Sequence, residues 1–294
     1  MDSRQQIKDL SQRDIIELFG DITKDNRNII IPIGFPAAGK SLFISSLMYY
    51  SQRDTIKKWS INYENNYPYD QGRISVNSMV NYLDRKKTYP SSLSGTIDII
   101  GATLVTNNAS KPNVNFAIID LAGEDIEKIK VGATKGEFDR KIEGILRGCE
   151  TGKPIFCLLT PFSPSKGDLI EDTLHFDFLN YLKMDLPILY NNSKFIVLVT
   201  QWDKNPNKNQ EVEDYLKDKR PNIYNLVTNQ SRNKYFADFS VGRLIETYND
   251  ENTKEPLIAD IERESPEKFW NKIYEVITSK SLVEKPSFFK KLFG

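Results

Sequence analysis

The chain has 294 residues, 39% of them apolar and 27% charged, a composition that argues against a disordered or fibrous protein. Lysine plus arginine equals aspartate plus glutamate at 40 each, so no net charge favours nucleic acid or an anionic membrane as a general partner. Its two cysteines suggest no disulfide framework, and no signal peptide or transmembrane run of about 18 apolar residues is visible. We therefore expect a soluble, cytoplasmic protein.

The first predicted elements surround a glycine-rich turn. Helical spacing in residues 13–19 predicts a helix within an N-terminal extension that covers residues 1–27. Residues 28–33 (NIIIPI) form a continuous apolar run ending at a glycine, which is typical of a buried parallel strand. A helix is predicted from Lys40 to Tyr50. The order is strand, glycine loop, helix.

A polar, tyrosine-rich segment then predicts an insertion at about residues 53–92. Alternation of Trp59, Ile61 and Tyr63 indicates a strand, and the spacing from Val76 to Leu83 indicates a helix. One interpretation is an extra strand and helix packed on the edge of a sheet. The other is a docking surface, because exposed aromatic side chains are favoured at interfaces.

The remaining chain alternates apolar strands with helical segments. This alternation predicts an α/β fold with a mostly parallel sheet covered on both faces. Residues 96–105 and 115–120 are the exception, because the turn-rich link TNNASKPN suits an antiparallel strand at the sheet edge. Further strands are predicted at residues 154–160, 194–200 and 235–240, and helices at 135–147, 168–183, 211–216 and 266–279.

The octet Gly34–Ser41 matches the pattern G-x-x-x-x-G-K-[ST] at every fixed position. In this pattern glycines let backbone N–H groups point at phosphate oxygens, the lysine reaches the terminal phosphates, and the Ser hydroxyl holds Mg²⁺. The octet makes the predicted fold a three-layer P-loop NTPase domain over residues 28–284. The predicted nucleotide contacts are Gly34, Ala37, Ala38, Gly39, Lys40, Ser41 and Leu42.

A second motif follows the apolar run that ends at Asp120. With Leu121, Ala122 and Gly123, this aspartate reads D-x-x-G, and the sequence here resembles the Ras-like GTPases of the P-loop class. The resemblance implies that Asp120 serves the metal site and that the Gly123 N–H contacts the γ-phosphate.

The resemblance extends to the base-recognition motif N/T-K-x-D, which here reads T-Q-W-D from Thr200 to Asp203. It implies that Asp203 accepts both guanine N–H groups, which adenine does not offer in that geometry. Gln201 occupies the place of the lysine whose stem packs on the base. Trp202 or Lys204 could supply that packing instead.

A last short motif begins at Ser240. With Val241 and Gly242 it stands where the family has the loop whose backbone reads the guanine oxygen. The four motifs occur in the family's order over residues 34–242, so the resemblance spans most of the chain.

One catalytic residue has two candidates in this sequence, and another differs from the residue that the family has. Thr96 is our choice for the first-switch threonine that ligates the metal, and Thr88 is the alternative. Glu124 follows Gly123, where the family has a glutamine that orients the attacking water. Since a second negative charge beside the γ-phosphate is unfavourable, slow turnover is expected.

The sequence therefore predicts a Mg²⁺-dependent GTP-binding protein that hydrolyses GTP slowly to GDP and phosphate and acts as a switch. The alternatives are an ATP-using P-loop enzyme, either an ATPase or a kinase, and a nucleotide-binding scaffold that does not hydrolyse. A protein regulator or effector is expected at the switch loops, which are the loops around Thr96 and Gly123, and at the insertion. The tail, residues 285–294, mixes phenylalanines with lysines, so weak contact with a membrane or partner and folding back on the domain are both open.

Overall fold

The computed structural model describes residues 10–55, 57–92, 96–130, 140–230, 235–248 and 254–283. In these ranges the strands are β1 (Asn28–Ile33), β2 (Trp59–Tyr63), β3 (Ile97–Thr106), β4 (Val114–Leu121), β5 (Ile155–Pro161), β6 (Lys194–Thr200), β7 (Tyr235–Phe239), β8 (Gly242–Tyr248) and β9 (Lys254–Ile261). The helices are α1 (Gln12–Lys24), α2 (Lys40–Arg53), α3 (Asp70–Asp84), α4 (Gly123–Ile126), α5 (Arg140–Gly148), α6 (Asp168–Asp185), α7 (Pro187–Asn192), α8 (Val212–Lys219), α9 (Pro221–Gln230) and α10 (Glu264–Thr278).

The main sheet has the strand order β2-β3-β4-β1-β5-β6-β7. Strands β4, β1, β5, β6 and β7 pair in parallel, whereas β3 is antiparallel to both of its neighbours. The predicted α/β P-loop NTPase fold with one antiparallel strand is confirmed. That strand is second from the edge, because β2 covers its outer side from Trp59, opposite Thr106, to Tyr63, opposite Ala102.

Apolar cores lie on both faces of the sheet and make the three layers. One core contains side chains of α1, α5, α6, α7 and α9, and the other contains side chains of α2, α3 and α10. In β1, Ile29 and Ile31 enter the first core while Ile30 enters the second. A strand that is buried on both faces has a continuous run of apolar residues, which is why the sequence predicted this strand.

The inserted segment belongs to this same framework. Helix α3 packs against α2 and β3, and Trp59 and Tyr69 are only 4% and 5% exposed. These two aromatic side chains are core residues, which supports the interpretation as an extra strand and helix. Tyr67, at 48% exposure, remains on the surface. The domain boundaries themselves stay a prediction.

Several elements were not expected from the sequence: α4, α7, α9 and the hairpin of β8 and β9. This hairpin is separate from the main sheet, and its side chains Leu244 and Ile245 are each 40% exposed. Its strands therefore lack a strong apolar pattern. The predicted tail and residues 131–139 lie outside the described residues. None of the helices described has the length and apolar character needed to cross a membrane.

Candidate nucleotide-binding site

The loop between β1 and α2 is shaped by two residues with left-handed backbone conformation. The φ angles of Ala37 and Gly39 are 68° and 80°, and the Ala38 N–H donates to the Phe35 carbonyl at 3.0 Å. Gly39 is the N-cap of α2 and makes no side-chain hydrogen bond to the first helical turn. An N-terminus without a side-chain cap presents N–H groups to a bound anion. This geometry suits phosphate oxygens.

Lys40 and Asp120 form a buried ion pair beside this loop. Their side chains are 7% and 3% exposed, and Lys40 Nζ contacts Asp120 Oδ1. The other oxygen, Asp120 Oδ2, accepts a hydrogen bond of 2.8 Å from Ser92 Oγ. Because buried charges require partners, the fold holds together two predicted site residues that are 80 positions apart in the sequence.

A second carboxylate, Asp98, faces Asp120 from β3. The two residues are cross-strand partners, and Ser75 Oγ on α3 donates to Asp98 Oδ2 at 2.6 Å. Burial raises the pKa of Asp98, the Ser75 hydrogen bond opposes that rise, and the charge of Asp120 adds to it. The sequence analysis missed Asp98, since nothing in the motifs marks the register between these strands.

A cavity of about 340 Å³ opens above the loop. Its lining includes Gly34, Ala37, Gly39, Lys40, Ser41, Leu42, Thr88, Tyr89, Ser91, Ser92, Gly123, Glu124 and Gln201. Of the two threonines considered for the first switch, Thr88 is therefore on the cavity wall. Thr96 is exposed at the start of β3 and is not part of the lining.

Gly123 lies unusually close to the phosphate loop. A Cβ at this position would be 2.7 Å from the Gly34 carbonyl oxygen, nearer than real side chains approach a backbone oxygen. Only glycine therefore fits without a shift of the loop. Glu124, the next residue, is exposed and also lines the cavity, so its carboxylate faces the space predicted for phosphates.

A second cavity, of about 200 Å³, lies at the ends of β6 and β7. Asp203 and Val241 line it, and Ser240 holds Asp203 in position through two hydrogen bonds. The Asp203 N–H donates to Ser240 Oγ at 3.1 Å, and Ser240 Oγ donates to Asp203 Oδ1 at 3.2 Å. The two cavities adjoin each other, because Gly39, Leu42, Gln201 and Leu244 line both.

The T-Q-W-D turn is tied to the phosphate loop by hydrogen bonds. Thr200 Oγ1 donates to the Ala38 carbonyl at 2.8 Å, and Gln201 Nε2 donates to the Ala37 carbonyl at 3.4 Å. Gln201 itself adopts a φ of 57°. The side chain in the usual lysine position thus holds the two loops together. Thr200 was not predicted as a site residue, although its place at the head of the motif marks it.

The two candidates for packing on the base differ in position. Trp202 contacts Phe162 and Tyr215, with ring centroids 5.7 and 5.5 Å apart, and it does not line either cavity. Lys204 does line the second cavity, and its Nζ donates to Gln201 Oε1 at 2.7 Å. The Trp202 ring therefore packs against the apolar core, and not against either cavity.

The oxygen donors present fit a hydrated magnesium ion. The Ser41 hydroxyl and the Asp120 carboxylate are hard donors of the kind that Mg²⁺ prefers. Within the described parts of the chain, no three His, Cys, Asp or Glu side chains lie together as a metal-binding group. A magnesium ion here would therefore depend on phosphate oxygens and water for its other ligands, as is usual for this cation.

None of the arginines described lines the cavity above the loop, called the phosphate cavity below, where a cation could supply transition-state charge. Arg73 lies over the Tyr63 ring at 5.1 Å, and Arg147 pairs with Glu143 at 2.9 Å. The single histidine, His175, is buried, and its Nε2 is 3.3 Å from Glu171 Oε1. These two residues are one helical turn apart on α6, and the i,i+4 spacing brings their side chains together.

No protein-family model and no curated protein sequence matches this chain. Among solved structures it is similar to Toc33 from Arabidopsis thaliana in complex with Mg²⁺ and GMPPNP, at 12% identity over 92% of this chain and 93% of that one, with a TM-score of 0.42. It is also similar to the signal recognition particle receptor SRb-GTP/SRX complex from Chaetomium thermophilum, at 11% identity over 85% of this chain and 98% of that one, with a TM-score of 0.42. Likenesses at this level carry no information on the ligand of this chain.

Proposed function

We propose that this chain is a Ras-like, Mg²⁺-dependent GTP-binding protein that acts as a nucleotide-controlled switch. The observation that carries the proposal is the adjacency of the two cavities, with Lys40 lining one and Asp203 lining the other. A nucleoside triphosphate has its charge at one end and its base at the other. The site matches that distribution.

On the phosphate side, backbone N–H groups of the loop and α2 would bind phosphate oxygens. Lys40 would exchange its contact with Asp120 for the terminal phosphates, and Asp120 would then be available to a magnesium-bound water. Bound magnesium supplies charge neutralisation at the β- and γ-phosphates. Ser41 would ligate it directly, and Thr88 or Thr96 would complete the first switch, with the position of Thr88 on the cavity wall supporting Thr88.

On the base side, Asp203 would accept hydrogen bonds from N1–H and the 2-amino group of guanine. Adenine has neither donor in that arrangement, so a carboxylate that pairs with both guanine donors discriminates between the two bases. The two Ser240 hydrogen bonds orient this carboxylate before the ligand arrives, and the backbone at Ser240 and Val241 would contact the guanine oxygen.

Hydrolysis would be slow. Glu124 faces the phosphate cavity, where a carboxylate can accept a proton from water but opposes the charge that develops on the γ-phosphate. A regulator protein that supplies an arginine could raise the rate by about 10³–10⁵-fold. Gly123, against the phosphate loop, would sense loss of the γ-phosphate and change the affinity for an effector.

Binding of labelled GTP, ATP and xanthosine triphosphate to the wild type and to Asp203→Asn tests base selectivity. Xanthine carries a carbonyl where guanine carries the 2-amino group, so an amide at position 203 would favour it. We expect the wild type to prefer GTP and the variant to lose about a hundredfold in GTP affinity and gain in xanthosine triphosphate affinity. Equal affinities for GTP and ATP, unchanged by the substitution, would sink the GTP assignment.

Two alternatives follow from particular residues. Because Gln201 occupies the place of the family's lysine, an ATP-using enzyme is one alternative. The same comparison of GTP and ATP binding decides between the two nucleotides. Glu124 leaves a scaffold without hydrolysis open. Single-turnover release of phosphate from GTP, compared between the wild type and folded Lys40→Ala, decides the second: release that requires Lys40 excludes a pure scaffold.

A further inference from the structure

The hairpin of β8 and β9 starts directly at the base-recognition loop. Gly242, its first residue, has a φ of 116°, and a Cβ there would be 1.8 Å from the Asp260 carbonyl oxygen. Glycine is therefore required for β8 to leave Val241 in this direction. An irregularity in the pairing follows at once, between Arg243 and Leu244. Such bulges re-aim side chains next to functional sites.

Leu244 is the hairpin residue that lines both cavities, whereas Arg243 lines only the base cavity and Pro256 only the phosphate cavity. Leu244 shares this position with Leu42, Gly39 and Gln201, which also line both cavities. The neighbouring Ile245 is equally exposed, at 40%, and lines neither cavity. An exposed apolar side chain at the junction of the two cavities has surface to bury when a ligand arrives.

The T-Q-W-D turn leaves the apolar face of a base short of contacts. The Gln201 amide is hydrogen-bonded to the phosphate loop and to Lys204, and Trp202 packs against Phe162. Purine rings bind by stacking and apolar contact as well as by hydrogen bonds. The apolar lining of the base cavity comes from other parts of the chain, and Leu244 is the most exposed member of it. The apolar side chains in this lining are Leu42, Phe43, Phe239, Val241 and Leu244.

We propose that Leu244 supplies this apolar contact, and that the β8–β9 hairpin is a wall of the nucleotide site against which the guanosine part of the ligand packs. The inference rests on the proposed function, since it names a further binding residue of that same site. Leu244 contacts the nucleoside where base and ribose meet the phosphates, and it takes over packing that Gln201 does not provide.

The hairpin also joins the base side to the segment before β3. The Ile258 N–H donates to the Lys86 carbonyl at 2.8 Å, and Lys87 forms an antiparallel bridge with Leu257. Pro256 of the same strand lines the phosphate cavity beside Thr88. A ligand that packs on Leu244 therefore stabilises the hairpin and the Thr88 segment together.

Thiol protection tests the contact directly. Cys149 and Cys157 are both 0% exposed, so a cysteine introduced by Leu244→Cys is the reactive thiol, and Ile245→Cys is the matched control. We expect saturating Mg²⁺ and GTP to slow maleimide labelling at position 244 at least about fivefold and to leave position 245 unchanged. Equal labelling with and without GTP at 244, or equal protection at both positions, would overturn the contact.

Affinity provides the second readout. Leu244→Ala is expected to raise the Kd for GTP and GDP about tenfold, the loss expected when a leucine gives up its apolar contact, while Ile245→Ala stays within twofold of the wild type. If both alanine variants bind GTP like the wild type, the inference fails while GTP binding stands. If the wild type binds no guanine nucleotide, the proposed function itself has failed.

Discussion

The two ends of the candidate site are built in different ways. The phosphate end centres on one continuous octet, and its charged residues, Lys40 and Asp120, are buried and paired. The base end is assembled from the turn after β6, the loop after β7 and a hairpin, and Asp203 is exposed. In the proposed function, phosphate binding would depend mainly on local backbone geometry, whereas base selectivity would depend on three segments that only the tertiary fold brings together. Substitutions at the two ends should fail in different ways.

The largest effect is expected at the phosphate end. Lys40→Ala should weaken GTP binding about a hundredfold or more, because a charged hydrogen bond contributes roughly 1.5–3 kcal/mol and Lys40 would make several. It should also reduce stability, since Asp120 would remain buried beside Asp98 without a cation. Equilibrium binding and urea unfolding measure the two effects.

The control for Lys40 is Lys24→Ala, which removes an exposed lysine paired with Asp21 and should change neither quantity. The double variant Lys40→Ala with Asp120→Asn removes the unpaired charge, so stability should recover while binding does not. A Lys40→Ala variant that binds GTP within twofold of the wild type would contradict the role given to this lysine.

A smaller effect, selective for the triphosphate, is expected for Gly123→Ala. The added Cβ meets the Gly34 carbonyl, so the phosphate loop must shift where the γ-phosphate would lie. We expect GTP affinity to fall about tenfold with little change in GDP affinity. Gly20→Ala is the control, because a Cβ there has nothing within 4 Å and should stabilise α1 slightly. Equal losses for GTP and GDP would argue against a γ-phosphate contact.

At the base end we expect substitutions to reduce the preference for GTP over ATP more than they reduce nucleotide affinity as a whole. Ser240→Ala removes the hydroxyl that orients Asp203, and hydrogen bonds of this kind contribute about 1 kcal/mol. The ratio of GTP to ATP affinity should therefore fall roughly fivefold, with ATP affinity unchanged. Ser60→Ala, at an exposed position of β2, is the control. An unchanged ratio would mean that Asp203 needs no support from Ser240.

The smallest effect concerns stability and its dependence on pH. Burial raises the pKa of Asp98, so between the ordinary and the raised pKa the folded state binds more protons than the unfolded state. Stability therefore falls as the pH rises through that interval, and the penalty is fully present above the raised pKa. Asp98→Asn keeps an acceptor for Ser75 and should raise Tm by a few degrees at pH 7.

The advantage of Asp98→Asn should shrink as the pH falls towards about 4, where the carboxyl of the unfolded chain is also protonated. Thermal unfolding across this pH range measures it. Asp21→Asn, at an exposed position of α1, should show no such trend. A Tm difference for Asp98→Asn that is constant from acid to neutral pH would show that the carboxylate carries no penalty.

Much of the fold was predictable, because its strands are buried on both faces. Continuous apolar runs gave β1, β5 and β6 close to their observed bounds, and the turn-rich link gave the antiparallel pairing of β3 with β4. The elements that were missed have weaker patterns. The β8–β9 hairpin is separate from the main sheet and half-exposed, so its composition resembles that of a loop.

The residues of the candidate site also fall into two groups, those that the sequence predicted and those that it did not. The octet was predicted to bind nucleotide from its motif, and Asp120 and Gly123 from the resemblance that their motif carries; the structure brings these residues together. Thr88, Ser92 and Leu244 reach the cavities through long-range packing, and no short motif marks them. The orientation of Trp202 away from the site was equally invisible, because its partners Phe162 and Tyr215 are distant in the sequence.

The sequence by itself determined the glycine-rich loop, the order of the buried strands and of the helices around them that it predicted, and the aspartate predicted to read the base. These follow from local rules: glycines permit the loop, and apolar periodicity specifies buried strands. The tertiary structure alone decided that Asp98 faces Asp120, that Gln201 ties the base turn to the phosphate loop, and that Leu244 stands at the junction of the two cavities. Such contacts depend on strand register and on the packing of distant segments, and a linear pattern of residue types encodes neither.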